Sequence, residues 1–210
     1  MDLDEARTRI LDAAETLFYE RGIQSVGMDE LRGAAGVSLK RLYQCFPAKR
    51  DLVEAYLRRR DGRWRAALAE YVDAHTDDPA ARPLAVFDWL GDWFAEPGFR
   101  GCAFANAYGE LGAASDGVGR VARDHKSALL AYVTGLVRAA GADQPELLGR
   151  QLVLLIDGAI AGAALRGGAA APEARAAAAV LMASPAGGAA GAAECGPPVR
   201  GPAAPGANMA

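Results

Sequence analysis

Between Val37 and Lys49 the chain reads VSLKRLYQCFPAK, a stretch rich in side chains that can read a patterned polar surface. Lys40 and Arg41 donate hydrogen bonds and carry positive charge. Gln44 both donates and accepts, and Tyr43 adds a ring with a hydroxyl. These groups match the base edges in the major groove of DNA, where Arg or Lys pairs with guanine O6 and N7 and Gln with adenine. Tyr43, Ser38 and Lys49 suit phosphate oxygens, contacts that set register and carry no sequence information. Catalysis has far less material. His75 and His125 are the chain's two histidines, and Asp124 and His125 are chain neighbours that point to different sides of a helix. No phosphate-binding loop or metal-ligand spacing is visible. The expectation is no enzyme, no metal and no cofactor.

For the reading side chains to converge, two short helices must cross with a tight corner between them. Residues 28–35 form the first, and Gly36 supplies the positive φ that a corner demands. Ser38 is placed to cap the second, and Pro47 helps to end it. Leu31, Val37, Leu42 and Phe46 then fill the space between them. This is a helix-turn-helix. A preceding helix over residues 4–21 repeats apolar residues at Leu3, Ala6, Ile10, Ala13 and Leu17 and stops at Gly22.

From Arg9 to about Tyr56 the sequence resembles the DNA-binding domain of the TetR family of bacterial transcription regulators. The matching residues are Ile10-Leu11-Asp12-Ala13-Ala14, Leu17-Phe18, Glu20-Arg21-Gly22, Asp29-Glu30-Leu31, Ala34-Ala35-Gly36-Val37-Ser38, Leu42-Tyr43, Phe46-Pro47, Lys49 and Asp51-Leu52. Gly27 departs from the family's usual Ser or Thr cap. Lys40 and Arg41 replace small residues, and Cys45 replaces an aromatic or His. The resemblance implies that Leu39 to Cys45 is a recognition helix entering the major groove of a double-stranded operator. It also implies a homodimer built on the two C-terminal long helices, and a small-molecule effector held inside the C-terminal bundle.

The remainder of the 210 residues fits an all-α chain. Apolar residues make up 51%, swollen by Ala, and aromatics only 7%, with no alternating β-branched runs. The expected organisation is a helix-turn-helix domain over 1–47, a helical ligand-binding and dimerisation domain over 48–184, and a disordered Pro/Gly/Ala-rich tail over 185–210. A long helix over about 48–73 leads to helices over about 82–95, 103–111, 117–140, 145–166 and 172–183.

Net charge is −3, yet residues 38–65 hold nine Lys or Arg against three Asp or Glu. The basic group is Lys40, Arg41, Lys49, Arg50, Arg58, Arg59, Arg60, Arg63 and Arg65. A local patch of this kind attracts phosphates even on an acidic protein, although a merely solvated face accounts for part of it. Cys45, Cys102 and Cys195 form no disulfide framework, and the acidic N-terminus is unlike a signal peptide. The longest apolar run, Leu152 to Leu165, is interrupted by Asp157 and is short for a bilayer. The expectation is a soluble cytoplasmic protein that does not enter membranes.

In the helix over 145–166, Leu148, Leu152, Leu155 and Ala159 form a stripe, with Gly158 and Gly162 permitting close approach of a second copy. The alternative for this stripe is burial within one subunit. Trp64, Phe87, Trp93, Phe104, Tyr108 and Tyr132 are candidates to line an effector cavity, with Asn106 and His125 orienting its contents. For His125 a core histidine paired with a neighbour is the competing reading. The resulting expectation is a ligand-responsive homodimeric repressor released from an inverted-repeat operator. Alternatives are an activator of the same fold, or a regulator sensing oxidants through Cys45.

Overall fold

The computed structural model describes residues 2–167 and 169–184. The expected tail over 185–210, with Cys195, lies outside them. All described regular structure is helical: α1 (Leu3–Arg21), α2 (Met28–Ala35), α3 (Leu39–Cys45), α4 (Lys49–His75), α5 (Arg82–Ala95), α6 (Ala103–Leu111), α7 (Asp116–Ala139), α8 (Pro145–Arg166) and α9 (Ala170–Ala183). The punctuation acts as the sequence implies. Asp2 caps α1 through Glu5 N–H at 2.7 Å. Gly36 takes a left-handed conformation (φ 65°) after α2, and Ser38 Oγ accepts from Arg41 N–H at 3.2 Å. Pro145 opens α8 at a position whose N–H would be unpaired in any case.

Apolar burial divides into two cores. The first joins α1, α2 and α3 to the first half of α4, and takes in Phe104 and Ala107 of α6 with Val118, Val121 and Ala122 of α7. Leu31, Val37, Leu42 and Phe46 are buried in it, the crossing contacts that hold the helix-turn-helix together. This core thus continues across residue 48 into α4, α6 and α7. The second core collects Leu68 and Val72 of α4, the later half of α7, and α5, α8 and α9. Thus α4 and α7 are continuous rods running through both, and a rotation of either is felt in each.

The two sides of α8 correct the reading of its apolar stripe. Leu152 and Ala159 are buried in the second core, and Leu148 and Leu155 pack against it. That stripe is internal to one chain. The exposed side of α8 instead carries Leu147, Leu154, Gly158, Ala161 and Leu165, with Leu154 at 72% and Leu165 at 86% exposure. Val180 of α9 is exposed too. α8 is the one described helix long and apolar enough to cross a membrane by length and composition, a point the interrupted run at Asp157 had obscured. Asp157 itself pairs with Lys126 of α7.

Candidate nucleic-acid interface

The reading helix α3 is short, so its aim depends on what grips it. Leu42 and Phe46 anchor one side in the first core. From α1, the Arg7 guanidinium lies 4.3 Å from the centre of the Phe46 ring and donates to the Cys45 carbonyl at 3.0 Å. Cys45 is half-buried, with its sulfur 3.7 Å from the Leu3 carbonyl. It faces α1 and not the outer side of α3, so oxidation there would act on the α1–α3 contact.

The outer side holds Ser38, Leu39, Lys40, Tyr43 and Gln44, all exposed. In a helix of 3.6 residues per turn, positions 39, 40, 43 and 44 share one face. Arg41 sits at its margin and is half-buried. Four of the six residues expected to meet DNA (Ser38, Lys40, Tyr43 and Gln44) therefore lie together on an open face, and Arg41 flanks it.

Lys49 departs from this group. Its Nζ donates to the Ile23 carbonyl at 2.5 Å and lies 5.8 Å from the centre of the Phe18 ring. Burial holds its pKa below the usual lysine range, against an opposing pull from Glu110. The same α1–α2 turn is held from the other side. Glu110 of α6 accepts from Ile23 N–H at 3.1 Å and Gln24 N–H at 2.8 Å, and Gln24 donates back to the Glu110 carbonyl at 2.7 Å. Lys49 thus braces the head from within. Arg50, its neighbour, is 74% exposed with only a 3.7 Å contact to Asp51.

The basic run of α4 is likewise committed to internal partners. Arg59 meets Asp12 and Glu15 at 2.8 Å each, and Arg60 and Arg63 also reach Glu15. Arg58 pairs with Glu54 and Arg65 with Asp61. Of the nine basic residues counted in sequence, these five are neutralised within the fold.

The expected effector residues split four ways. Trp64, Trp93, Phe104 and His125 do converge, around a cavity of only about 10 Å³, room for one water. His125 stacks on Phe104 with ring centres 3.6 Å apart, meets Trp64 edge-on at 5.3 Å, and bonds Asp61 through Nδ1 at 2.8 Å. It is a core histidine with a partner, wedged between a ring of the first core and a ring packed on the second. Burial keeps its pKa low despite the Asp61 bond. For Asp61, burial alone would raise the carboxyl, but bonds from Arg65 and His125 outweigh it and hold the pKa low.

Tyr132 instead lines a more open cavity of about 320 Å³ between α4 and α7, which shares Leu129 with the closed one. Phe87 is buried in the second core and lines neither. Asn106 and Tyr108 are exposed on α6 and line neither of these cavities, while Asn106 borders a separate open hollow of about 590 Å³ with Tyr19, Arg100 and Glu110. Asn106 donates to the Arg100 carbonyl at 3.1 Å and so belongs to the loop before α6. On a nine-residue helix packed on one side, those positions fall on the water side. Cys102 and Lys126, which sequence reasoning passed over, do line the closed cavity. Among the described residues no group of three or more His, Cys, Asp or Glu is placed to hold a metal ion.

Residues 10–56 match the family described as bacterial regulatory proteins, tetR family. A crystal structure of a TetR-family transcriptional regulator from Streptomyces coelicolor superposes with a TM-score of 0.78 at 34% identity, covering 85% of this chain and 95% of that one. This chain belongs to the TetR family. It is therefore a transcriptional regulator with a DNA-binding helix-turn-helix, and not an enzyme. The reduced form of Escherichia coli NemR shares the fold, with a TM-score of 0.76 at 21% identity over 86% of this chain and 99% of that one. Among curated relatives, the transcriptional activator FasR of Mycolicibacterium smegmatis is 37% identical over 90 residues, 41% of each chain. The repressor KstR2 of Rhodococcus jostii is 40% identical over 52 residues, 25% of this chain and 26% of that one. The chain thus spans less than half the length of these curated relatives.

Proposed function

We propose that this TetR-family chain is a ligand-responsive homodimeric repressor, cytoplasmic and detached from membranes, which grips an inverted-repeat operator with the outer face of α3. One observation carries the reading: that face presents Lys40, Tyr43 and Gln44 to solvent while the neighbouring arginines of α4 are paired with acids. Lys40 and Gln44 take base edges and Arg41 reaches in from the margin. Ser38 and Tyr43 hold phosphates, with Arg50 in the role first expected of Lys49. The reading head extends through residue 47, and residues 48–184 hold the effector and the dimer contact.

Dimerisation follows from the exposed apolar side of α8 and the adjoining Val180 of α9. A second copy across a two-fold axis would cover Leu147, Leu154 and Leu165, and Gly158 lets the backbones approach. Two heads so held address half-sites about 34–36 Å apart or a multiple of that. The effector enters between α4 and α7 past Tyr132 and opens the closed cavity at Trp64, Phe104 and His125. It releases DNA only by binding the DNA-incompetent arrangement more tightly. Occupying an operator requires no further partner surface, which favours repression.

The test is selection of bound duplexes from a random pool, followed by sedimentation of the protein alone and of its Leu154→Glu variant. An inverted repeat bound by a dimer, with the variant monomeric, is the expected result. A bound sequence lacking two-fold symmetry, or a monomeric wild type at high concentration, overturns the reading.

A further inference from the structure

Two leucines of α3 have opposite fates. Leu42 is fully buried, whereas Leu39, at the start of the same helix, is 44% exposed and packs against neither core. Tyr43, one turn on, is 45% exposed. Leu39 is thus a large apolar side chain held in water along one edge of the open face that also carries Lys40, Tyr43 and Gln44. Among the described residues neither Lys40 nor Arg41 has an acidic partner, so an unneutralised positive field surrounds it. A polyanion is the partner that such a field draws. Of the groups that a DNA major groove presents on its base edges, the thymine C5-methyl is the apolar one.

We infer that Leu39 is a specificity-determining residue, packing its isobutyl group on a thymine methyl in each half-site. This rests on the proposed DNA reading and adds a base preference to it. Lys40 and Gln44, one turn apart on the adjoining ridge of α3, engage hydrogen-bonding edges to one side, and Leu39 expels water from the methyl beside them. A cytosine at that position lacks the methyl, so Leu39 has nothing to cover. Because Leu39 makes no core contact, its removal leaves the helix-turn-helix packing in place.

The experiment replaces each thymine of the duplex selected by the wild-type protein with deoxyuridine, which keeps the hydrogen-bonding edge and deletes only the methyl. At one position per half-site, affinity falls about fourfold, the equivalent of one buried methyl. Leu39→Ala binds the thymine duplex correspondingly more weakly and is indifferent to that replacement. Tyr43→Phe retains the full sensitivity. A wild type indifferent to deoxyuridine at every position overturns the inference while leaving DNA binding intact. So does an unchanged penalty in Leu39→Ala, which means that another residue covers the methyl or that Leu39 serves a protein partner. A wild type that selects no duplex overturns the DNA reading and this inference together.

Discussion

The outer face of α3 and the first half of α4 look alike as strings of basic residues, yet the fold uses them in opposite ways. In α4, Arg59, Arg60 and Arg63 lie against α1, which offers Asp12 and Glu15 along the same line. Their charge is consumed in fixing the long helix to the head. In α3, no helix covers Lys40, and its charge remains free for a partner. A charged side chain becomes a binding group or a brace according to what packs beside it. Sequence spacing alone does not decide this.

The largest expected effect tests the free side of that comparison. Lys40→Ala combined with Gln44→Ala should lower operator affinity about 100-fold for each half-site, from two base contacts of about 1–3 kcal/mol each. Random duplex should lose only the salt-dependent share of one cation per protomer, and the melting temperature should hold. Equal losses on both duplexes would erase the distinction between reading and bracing. Next comes the brace. Arg59→Ala, which takes from Asp12 its arginine and from Glu15 one of its three, at a side chain only 17% exposed, should cost about 2 kcal/mol in denaturant unfolding. Operator affinity of the still-folded dimer should stay near wild type.

Lys49 and Arg50 sharpen the boundary between the two regions. Lys49→Met should cost about 1 kcal/mol of stability through its lost bond to Ile23 and leave the salt dependence of DNA binding unchanged. Arg50→Ala should do the reverse, reducing the slope of log affinity against log salt by about 0.9 per dimer contact with no loss of stability. A slope change in Lys49→Met would mean that this lysine leaves Ile23 when DNA arrives.

The smallest effect concerns the junction of the two cores. His125 is held neutral by burial, so the unfolded chain takes up its proton first as pH falls. Its contribution to stability is complete above the unfolded value of about 6.5 and declines below it, levelling off once the lower folded value is passed. Asp61, whose folded pKa is depressed, stabilises above the ordinary carboxylate value and loses that contribution only as pH falls toward its folded value. The His125 window opens at the higher pH, below about 6.5, and the Asp61 window only below the ordinary carboxylate value. Melting temperature should therefore drop by a few degrees between about pH 7.5 and pH 5.5, and His125→Gln should flatten that drop. A wild type with no slope in this range would show that the junction tolerates a charged imidazole.

Helix boundaries were legible in the chain because caps and breakers are local chemistry. Gly36, Ser38 and Pro145 act through backbone geometry within a few residues, and α2, α5, α6 and α8 span the residues their patterns imply. The exposed side of α3 was legible for the same reason, since Leu42 and Phe46 fix which side of a seven-residue helix is inward. Where the reading slipped, the deciding contact lay far away in sequence. Asn106 and Tyr108 face water because α7 covers the other side of α6, and Lys49 turns inward because Ile23 presents a carbonyl held from behind by Glu110. On α8 two apolar stripes were available. The packing of α7 and α9 chose Leu152 and Ala159 for the interior and left Leu154 and Leu165 outside.

The sequence by itself determined that the chain is helical, where its helices start and stop, and that a short basic helix stands behind a glycine corner. Those features depend on φ preferences, capping and a 3.6-residue period, all of which act over one or two turns. Only the tertiary structure decided which arginines are free, which side of α8 is bare, and that His125 and Phe104 close the space between the two cores. Pairing and burial depend on which surface of another helix arrives alongside, and that is settled when the whole chain packs.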